Sequence, residues 1–258
     1  MAEASTRKTF FVALIVAVAC AGLVSLTAVG LAERIQANKS RELMGNLLQA
    51  VGLEDPAAVE FFIVELDTGD TVAAQAIGPG TYDQREAAGD PELSDPIPEA
   101  EDLAELGRRE RYAVVGLVRA GERIEQLILP VRGLGYGGII RGFVVLDGRD
   151  LSTVRSIQFT EHSETPGLGS DITRPEWRAR WAGKRVYDDE GELRIRVVQG
   201  AAAQAMPEAL YEVDGVSGAT ITSESVSAMI WFWFGERGFG PTLARLREQQ
   251  PIGGSDDE

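Results

Sequence analysis

Four apolar segments decide the fold: 112-YAVVGLV-118, 124-IEQLILPV-131, 138-GIIRGFVVL-146 and 151-LSTVRSIQF-159. Each is rich in β-branched and aliphatic residues, and the short stretches between them contain glycine and charged residues. Runs of this kind, separated by turn residues, are typical of consecutive strands joined by hairpins. The sequence therefore predicts an antiparallel sheet with peripheral helices, which is an α+β fold.

Two further runs precede the sheet segments. Val59–Leu66 and Thr71–Ala76 flank the turn residues of Asp67–Asp70, which predicts a β-hairpin. Residues 78–108 are dominated by Gly, Pro, Asp and Glu and show no apolar period, so we expect a long acidic surface loop there.

Helices are predicted at three places. Residues 32–53 have apolar residues at helical spacing, and we interpret them as a stalk or a first packed helix. Residues 175–183 place Trp177 and Trp181 on one helix face. Residues 223–235 form a third helix, whose Trp231 and Trp233 either pack in the core or meet a cofactor or partner.

An uncharged stretch of 24 residues, from Thr9 to Ala32, lies near the N-terminus. As a helix it would reach about 36 Å, more than the ~30 Å hydrocarbon core of a bilayer. A cleavable signal peptide usually has an apolar stretch of only ~7 to 15 residues, so an uncleaved anchor is favoured. A lipoprotein site at Cys20 is disfavoured because the apolar run continues beyond it.

These features predict a short N-terminal segment at 1–8, a transmembrane helix at 9–32, a domain on one side of the membrane at 33–250 and a disordered tail at 251–258. Basic residues lie on both sides of the apolar stretch, so charge alone does not settle the orientation.

Composition excludes several classes of function. The net charge of -15 provides no basic face for nucleic acid. A single cysteine, Cys20, and a single histidine, His162, cannot form an intrachain disulfide or a Cys/His metal cluster within this chain, so we expect no metal site. A contact or cluster that Cys20 shares with another chain stays open. We assign His162 a structural or surface role and predict no catalytic residue. The glycines of 133–138 precede another strand rather than a helix, which argues against a dinucleotide site.

The segment 214-DGVSGATITS-223 carries the candidate chemistry. Thr220 follows three small residues and precedes an apolar helix, and the free amides of a helix N-terminus favour an anion. Alternatively, the same residues form a turn in which Thr222 or Ser223 caps the helix.

This segment resembles the flavinylation motif of FMN-binding domains, in which a flavin transferase moves FMN from FAD onto the threonine of a (Ser/Thr)-Gly-Ala-Thr sequence. A second element, 161-EHSETPGLG-169, is similar to the segment that approaches the flavin ring in those domains. Over nearly its whole length the chain resembles the C subunits of the sodium-translocating NADH:quinone oxidoreductases. The N-terminal apolar stretch, 127-LILPVRGLG-135 and 238-GFGPTL-243 support that resemblance.

The resemblance implies covalent FMN on Thr220 through a phosphodiester. It further implies that Ser217, Gly218 and Ala219 allow the turn, and that Asp214 and Thr222 position the phosphate or present the motif. Thr165, Gly167 and Leu168 are expected at the flavin ring. Glu164 belongs to the same element, although an acidic turn residue is more often solvated.

The implied function is electron relay within NADH-to-quinone transfer coupled to sodium export, with no catalysis by this chain alone. The expected partners are the other membrane subunits, the flavin transferase and the bilayer. The resemblance also implies a single-pass chain in the bacterial inner membrane, with residues 1–8 in the cytoplasm and the extracytoplasmic FMN-binding domain at 33–250 in the periplasm. One alternative is the G subunit of the Rnf electron-transport complex, which shares the anchor and both motifs. Another is a non-redox anchored module that binds a ligand or assembly partner.

Overall fold

A computed structural model describes residues 8–22, 24–25, 48, 52, 55–73 and 76–249. Residues 8–22 form helix α1, which belongs to a different unit from the domain. Within the described ranges, no helix combines the length and the apolar character that crossing a bilayer requires. Of the predicted membrane helix at 9–32, residues 23 and 26–32 lie outside the description, as do the tail and nearly all of the 32–53 helix.

The domain contains ten strands and four α-helices in the described residues. They are β1 (Val59–Glu65), β2 (Thr71–Val72), α2 (Gln84–Gly89), β3 (Ser94–Pro96), β4 (Arg108–Glu110), β5 (Tyr112–Ala120), β6 (Arg123–Leu134), β7 (Ile139–Asp147), β8 (Val154–Glu161), α3 (Pro175–Arg178), β9 (Arg196–Val198), β10 (Glu212–Asp214), α4 (Thr220–Phe234) and α5 (Gly240–Gln249).

Six strands form one antiparallel sheet in the order β2-β1-β5-β6-β7-β8. The α+β fold and its antiparallel sheet are therefore confirmed. The predicted strand Thr71–Ala76 is shorter than expected, since β2 covers only Thr71–Val72. A parallel pair, β9 and β10, was not foreseen because each strand has only three residues and neither shows a readable alternation.

The prediction of a loop over residues 78–108 was wrong. This segment contains helix α2 and strand β3, and β3 pairs with β4. Asp83 caps α2 by accepting hydrogen bonds from the amides of Arg85 and Glu86. These elements are too short for an apolar period, which explains why the sequence pattern missed them.

Helix α4 packs on the core face of the sheet and determines where the motif lies. Trp233 is fully buried, and its Nε1 donates to the carbonyl of Arg132 on β6 at 2.7 Å. At the C-terminal end of α4, the carbonyl of Phe234 accepts from the hydroxyl of Tyr187 at 2.6 Å. Burial raises the pKa of Tyr187 to about 12, so this hydroxyl keeps its proton at neutral pH. The orientation of α4 is thus set by partners at both the sheet and its own C-terminal end.

The two predicted helices near the site have different boundaries from those expected. The segment predicted as a helix over 175–183 is one turn of α-helix followed by a 3-10 turn over Ala179–Trp181. Trp177 and Trp181 are both buried, with ring centroids 5.7 Å apart. Helix α4 begins at Thr220 rather than at Ser223, and therefore includes the candidate acceptor in its first turn.

Helix α5 closes the domain against its first hairpin. Arg245 on α5 forms an ion pair with Asp70 at 2.7 Å and donates to the carbonyl of Thr68 at 2.7 Å. Gly69, at the centre of that hairpin turn, has φ +74°, and an added Cβ would come within 2.6 Å of Thr242 N. The first and last elements of the domain are therefore in direct contact.

Candidate functional site

The candidate acceptor Thr220 is the first residue of helix α4, and it is exposed. Ala219 occupies the N-cap position and provides no side-chain cap, so the interpretation of Thr222 or Ser223 as the cap is wrong. Within the described part of the chain, no residue accepts a hydrogen bond from the amides of Thr220, Ile221 or Thr222. Free amides and the helix dipole together favour an anion at this position.

The turn before α4 is held by one buried hydroxyl. Ser223 is 2% exposed, and its Oγ accepts from the amide of Val216 at 3.0 Å and donates to the carbonyl of Ala219 at 3.0 Å. Gly218, between these two anchors, has φ +74°, a conformation that glycine adopts without steric cost. Ser217 and Gly218 are both exposed, so the backbone of this turn is accessible from solvent.

Asp214, at the end of β10, connects the motif to its neighbours. One carboxylate oxygen accepts from the amide of Ala202 at 2.6 Å, and the other forms an ion pair with Arg180 at 2.8 Å. Its carbonyl accepts from Nε1 of the buried Trp177 at 2.8 Å. Asp214 therefore fixes the start of the motif, and its side chain is held by a backbone amide and a guanidinium.

A cavity of about 510 Å³ lies in front of the motif. Its lining residues are Arg180, Gln199, Gly200, Ala201, Asp214, Gly215, Val216, Ser217, Gly218, Thr220 and Ser223. Sequence reasoning missed Arg180 and residues 199–201, because nothing in their local pattern distinguishes them from other surface residues. Only the tertiary fold brings them to Thr220.

The loop 162–168, which follows β8, lies beside the motif. Leu168 is 44% exposed, and a Cβ added at Gly218 would be 3.3 Å from its Cδ2. Thr165 is exposed, and its carbonyl accepts from the amides of Leu168 at 3.1 Å and Ser170 at 3.2 Å. Gly167 has φ +75° in the same turn. The two elements singled out in the sequence are therefore adjacent, although about fifty residues separate them.

Glu164 is not the solvated turn residue that its position suggested. It is 4% exposed, and one carboxylate oxygen accepts from the hydroxyl of Thr222 at 2.5 Å. The other oxygen accepts from the amide of Gly137, in the turn between β6 and β7, at 3.0 Å. His162 accepts from the amide of Glu164 through Nδ1 at 3.2 Å, which is a structural contact.

The residues present fit a phosphate-bearing cofactor. Thr220, with its unpaired amide and exposed hydroxyl, and Arg180 line a cavity bordered by small residues. In the described part of the chain, no group of His, Cys, Asp and Glu side chains is arranged to hold a metal ion.

Comparison with known proteins places this geometry in a family. Residues 135–234, which include the loop 162–168 and the motif, match the FMN-binding domain family. The chain is 38% identical over 258 residues to the C subunit of the Na(+)-translocating NADH-quinone reductase of Pseudomonas aeruginosa, covering 95% of this chain and 98% of that protein. The chain belongs to the family of Na(+)-translocating NADH-quinone reductase C subunits.

Other members of this family agree with the assignment. The C subunit of the Yersinia pestis reductase is 37% identical over 257 residues, covering 95% of this chain and 94% of that protein. The crystal structure of Shewanella oneidensis NqrC superimposes with a TM-score of 0.74 at 30% identity, covering 83% of this chain and all of that one. The crystal structure of the Parabacteroides distasonis C subunit, at 21% identity, has a TM-score of 0.57 over 82% of this chain and 94% of that one, and supports the fold.

The family assignment confirms two predictions from the sequence. The protein is a flavoprotein of this reductase family, and FMN is its cofactor. Its relatives are subunits of an oxidoreductase, so the chain is one component of a larger redox assembly.

Proposed function

We propose that this protein relays electrons between redox centres of a sodium-translocating NADH:quinone reductase through FMN bound to Thr220 by a phosphodiester. When bound, FMN supplies the redox chemistry, and the protein supplies attachment, orientation and electrostatic environment. The observation that carries the proposal is the position of Thr220, an exposed hydroxyl at the first turn of α4.

Attachment requires the Thr220 hydroxyl to bond to phosphorus. In that step the hydroxyl loses its proton, the pyrophosphate bond of FAD breaks, and AMP leaves. The hydroxyl must be reachable by the transferase, which the exposure of Ser217, Gly218 and Thr220 permits. The resulting phosphodiester lies beside the amides of α4, which stabilise its charge.

The loop 162–168 is the proposed contact surface for the flavin ring. Leu168 offers exposed apolar area next to Gly218, and Gly167 and Thr165 offer accessible backbone and a hydroxyl. A covalent tether at Thr220 confines the ring to the neighbourhood of this loop. Confinement keeps the distances to the electron donor and acceptor constant, as a relay requires.

The membrane location also belongs to this proposal. We infer that residues 9–32 anchor the chain in the inner membrane, residues 1–8 lie in the cytoplasm and residues 33–250 form a periplasmic domain. The uncharged stretch of 24 residues supports the anchor. The partners in this arrangement are the bilayer, the other membrane subunits of the reductase and, during maturation, the flavin transferase.

Intact mass spectrometry tests the attachment. Wild type, Thr220→Ala and Ser225→Ala are each coexpressed as full chains with a flavin transferase. We expect wild type and Ser225→Ala to gain the mass of one FMN less one water, and Thr220→Ala to gain nothing. Ser225→Ala is the matched control, because it removes a hydroxyl from the same helix outside the motif.

Two results would contradict the proposal. A wild type that remains colourless in the presence of a competent transferase would favour a binding or assembly module. A Thr220→Ala variant that retains covalent flavin would place the linkage on another residue.

A further inference from the structure

We propose that Glu164 is a positioning residue for the flavin. Its buried carboxylate fastens the loop 162–168 to the first turn of α4, and its charge lowers the reduction potential of the flavin. This inference rests on the proposed function, because it concerns the flavin attached beside that loop. Glu164 would act on the flavin through the segments that it holds and through its charge, without touching the flavin itself.

Three separate segments meet at the Glu164 carboxylate. Thr222, in the first turn of α4, donates to one oxygen at 2.5 Å, and Gly137, in the turn after β6, donates to the other at 3.0 Å. Thr222 is 3% exposed and Glu164 is 4% exposed, so both hydrogen bonds are shielded from water. Shielded hydrogen bonds to a charged group contribute more than neutral or exposed ones.

The surrounding backbone leaves room for this carboxylate and little else. A Cβ added at Gly169 would lie within 2.5 Å of the Thr222 hydroxyl and would collide with the nearer carboxylate oxygen. A Cβ added at Gly135 would collide with the other oxygen. Glycine at both positions therefore allows the backbone to close around Glu164.

The two donors that face the carboxylate are uncharged, so its negative charge is not neutralised by an ion pair through them. Thr165, the next residue, begins the turn that presents Leu168 beside Gly218. A buried charge in this position disfavours the arrival of an electron nearby, since Coulomb interactions are strong where water is excluded. The negative charge of Glu164 and its hydrogen bonds to Thr222 and Gly137 are therefore two separate contributions of one side chain.

Two substitutions separate the effect of the charge from the effect of the hydrogen bonds. Glu164→Gln keeps the shape and can keep both contacts, because the Thr222 hydroxyl can accept as well as donate, but it removes the charge. Thr222→Val keeps the charge and removes one contact, while Thr222→Ser restores the hydroxyl. Glu161→Gln is the matched control, because it makes the same charge change at an exposed carboxylate that pairs with Arg85 and Arg141.

Each full-length variant is produced with and without the flavin transferase. Without flavin, we expect Thr222→Val to speed amide exchange at Leu168 and Ser170 about tenfold, and Thr222→Ser to restore the wild-type rate. With the transferase, we expect Glu164→Gln and Glu161→Gln to gain the FMN mass, as wild type does. The reduction potential should rise in Glu164→Gln and remain at the wild-type value in Glu161→Gln.

The proposal is overturned if Thr222→Val exchanges at the wild-type rate, or if the potentials of Glu164→Gln and wild type coincide. It is also overturned if Glu164→Gln acquires no FMN while wild type does, since Glu164 would then act in attachment. A wild type that never acquires FMN contradicts the proposed function instead. In that case the amide-exchange measurement still tests whether the hydrogen bond between Glu164 and Thr222 holds the loop.

Discussion

Strands β5–β8 and the motif at the start of α4 are held in place by different interactions. In the strands, backbone hydrogen bonds between paired strands and many buried apolar side chains fix the geometry together, so no single side-chain hydrogen bond decides it. At the motif, the path of the chain depends on a few polar side chains, chiefly Ser223, Asp214 and Glu164. The geometry of the sheet therefore depends little on any single polar side chain, whereas the motif depends on individual hydrogen bonds.

The largest expected effect tests the apolar part of this comparison. Trp233→Ala should lower the free energy of unfolding by about 3 to 5 kcal/mol, since it removes a fully buried ring between α4 and the sheet. Urea denaturation followed by circular dichroism measures the loss. Trp231→Ala is the control, because Trp231 is 38% exposed and should cost less. Equal losses of unfolding free energy in the two variants would show that the burial of the ring does not determine its contribution to stability.

A smaller effect tests the motif. Ser223→Ala should cost about 1 to 3 kcal/mol, because the buried amide of Val216 loses its acceptor. Ser225→Ala, two positions along the same helix, should change the free energy of unfolding by less than about 0.5 kcal/mol. The two variants are compared by urea denaturation. Similar values for both would contradict the view that single hydrogen bonds hold the turn.

Electrostatics at the end of β7 provide a third test. Hydrogen bonding from Arg149, with further contributions from Arg155, holds the pKa of Asp147 well below its ordinary value. A lowered carboxyl pKa stabilises the fold above about pH 4 and loses that contribution as pH falls toward the folded-state pKa.

Asp147→Asn should therefore cost about 1 kcal/mol at pH 7, and the difference from wild type should shrink below about pH 4. Unfolding curves collected between neutral and acidic pH measure this trend. A difference that stays constant down to pH 2 would show that the ionised carboxylate is not the source of stability.

The smallest expected effect concerns the exposed ion pair at the motif. Arg180→Gln should cost about 0.5 kcal/mol or less, since Arg180 and Asp214 are both partly exposed. The cost should fall further at high salt, which screens the pair. Arg174→Gln is the control, because Arg174 pairs with Asp171 within one turn at the surface. A loss of unfolding free energy that is independent of salt and larger than that of Ser223→Ala would contradict the expectation that this exposed ion pair contributes least.

The sequence predicted the sheet well because its strands are long and apolar. Strand β6 has twelve residues, and four consecutive residues in its centre are buried, which produces a pattern visible without a structure. The elements α2, β3 and β4 have three to six residues each, which is shorter than the window in which a period can be recognised.

The candidate site was only partly predictable for a related reason. The motif around Thr220 is contiguous and could be recognised, whereas Arg180 and residues 199–201 reach the cavity through the fold alone. Glu164 was placed in the correct element but given the wrong environment. Its burial depends on Gly137 and Thr222, which lie 27 and 58 residues away along the chain.

The contact between α5 and the first hairpin has a consequence for biosynthesis. Asp70 leaves the ribosome long before Arg245 is translated, so the hairpin turn stays without its partner on α5 until residue 245 has been synthesised. Contacts between such distant residues slow folding, because a large loop must close before they form. Completion of the domain is therefore a late event, and a chain that stops before Gly240 lacks the helix that covers its first turn.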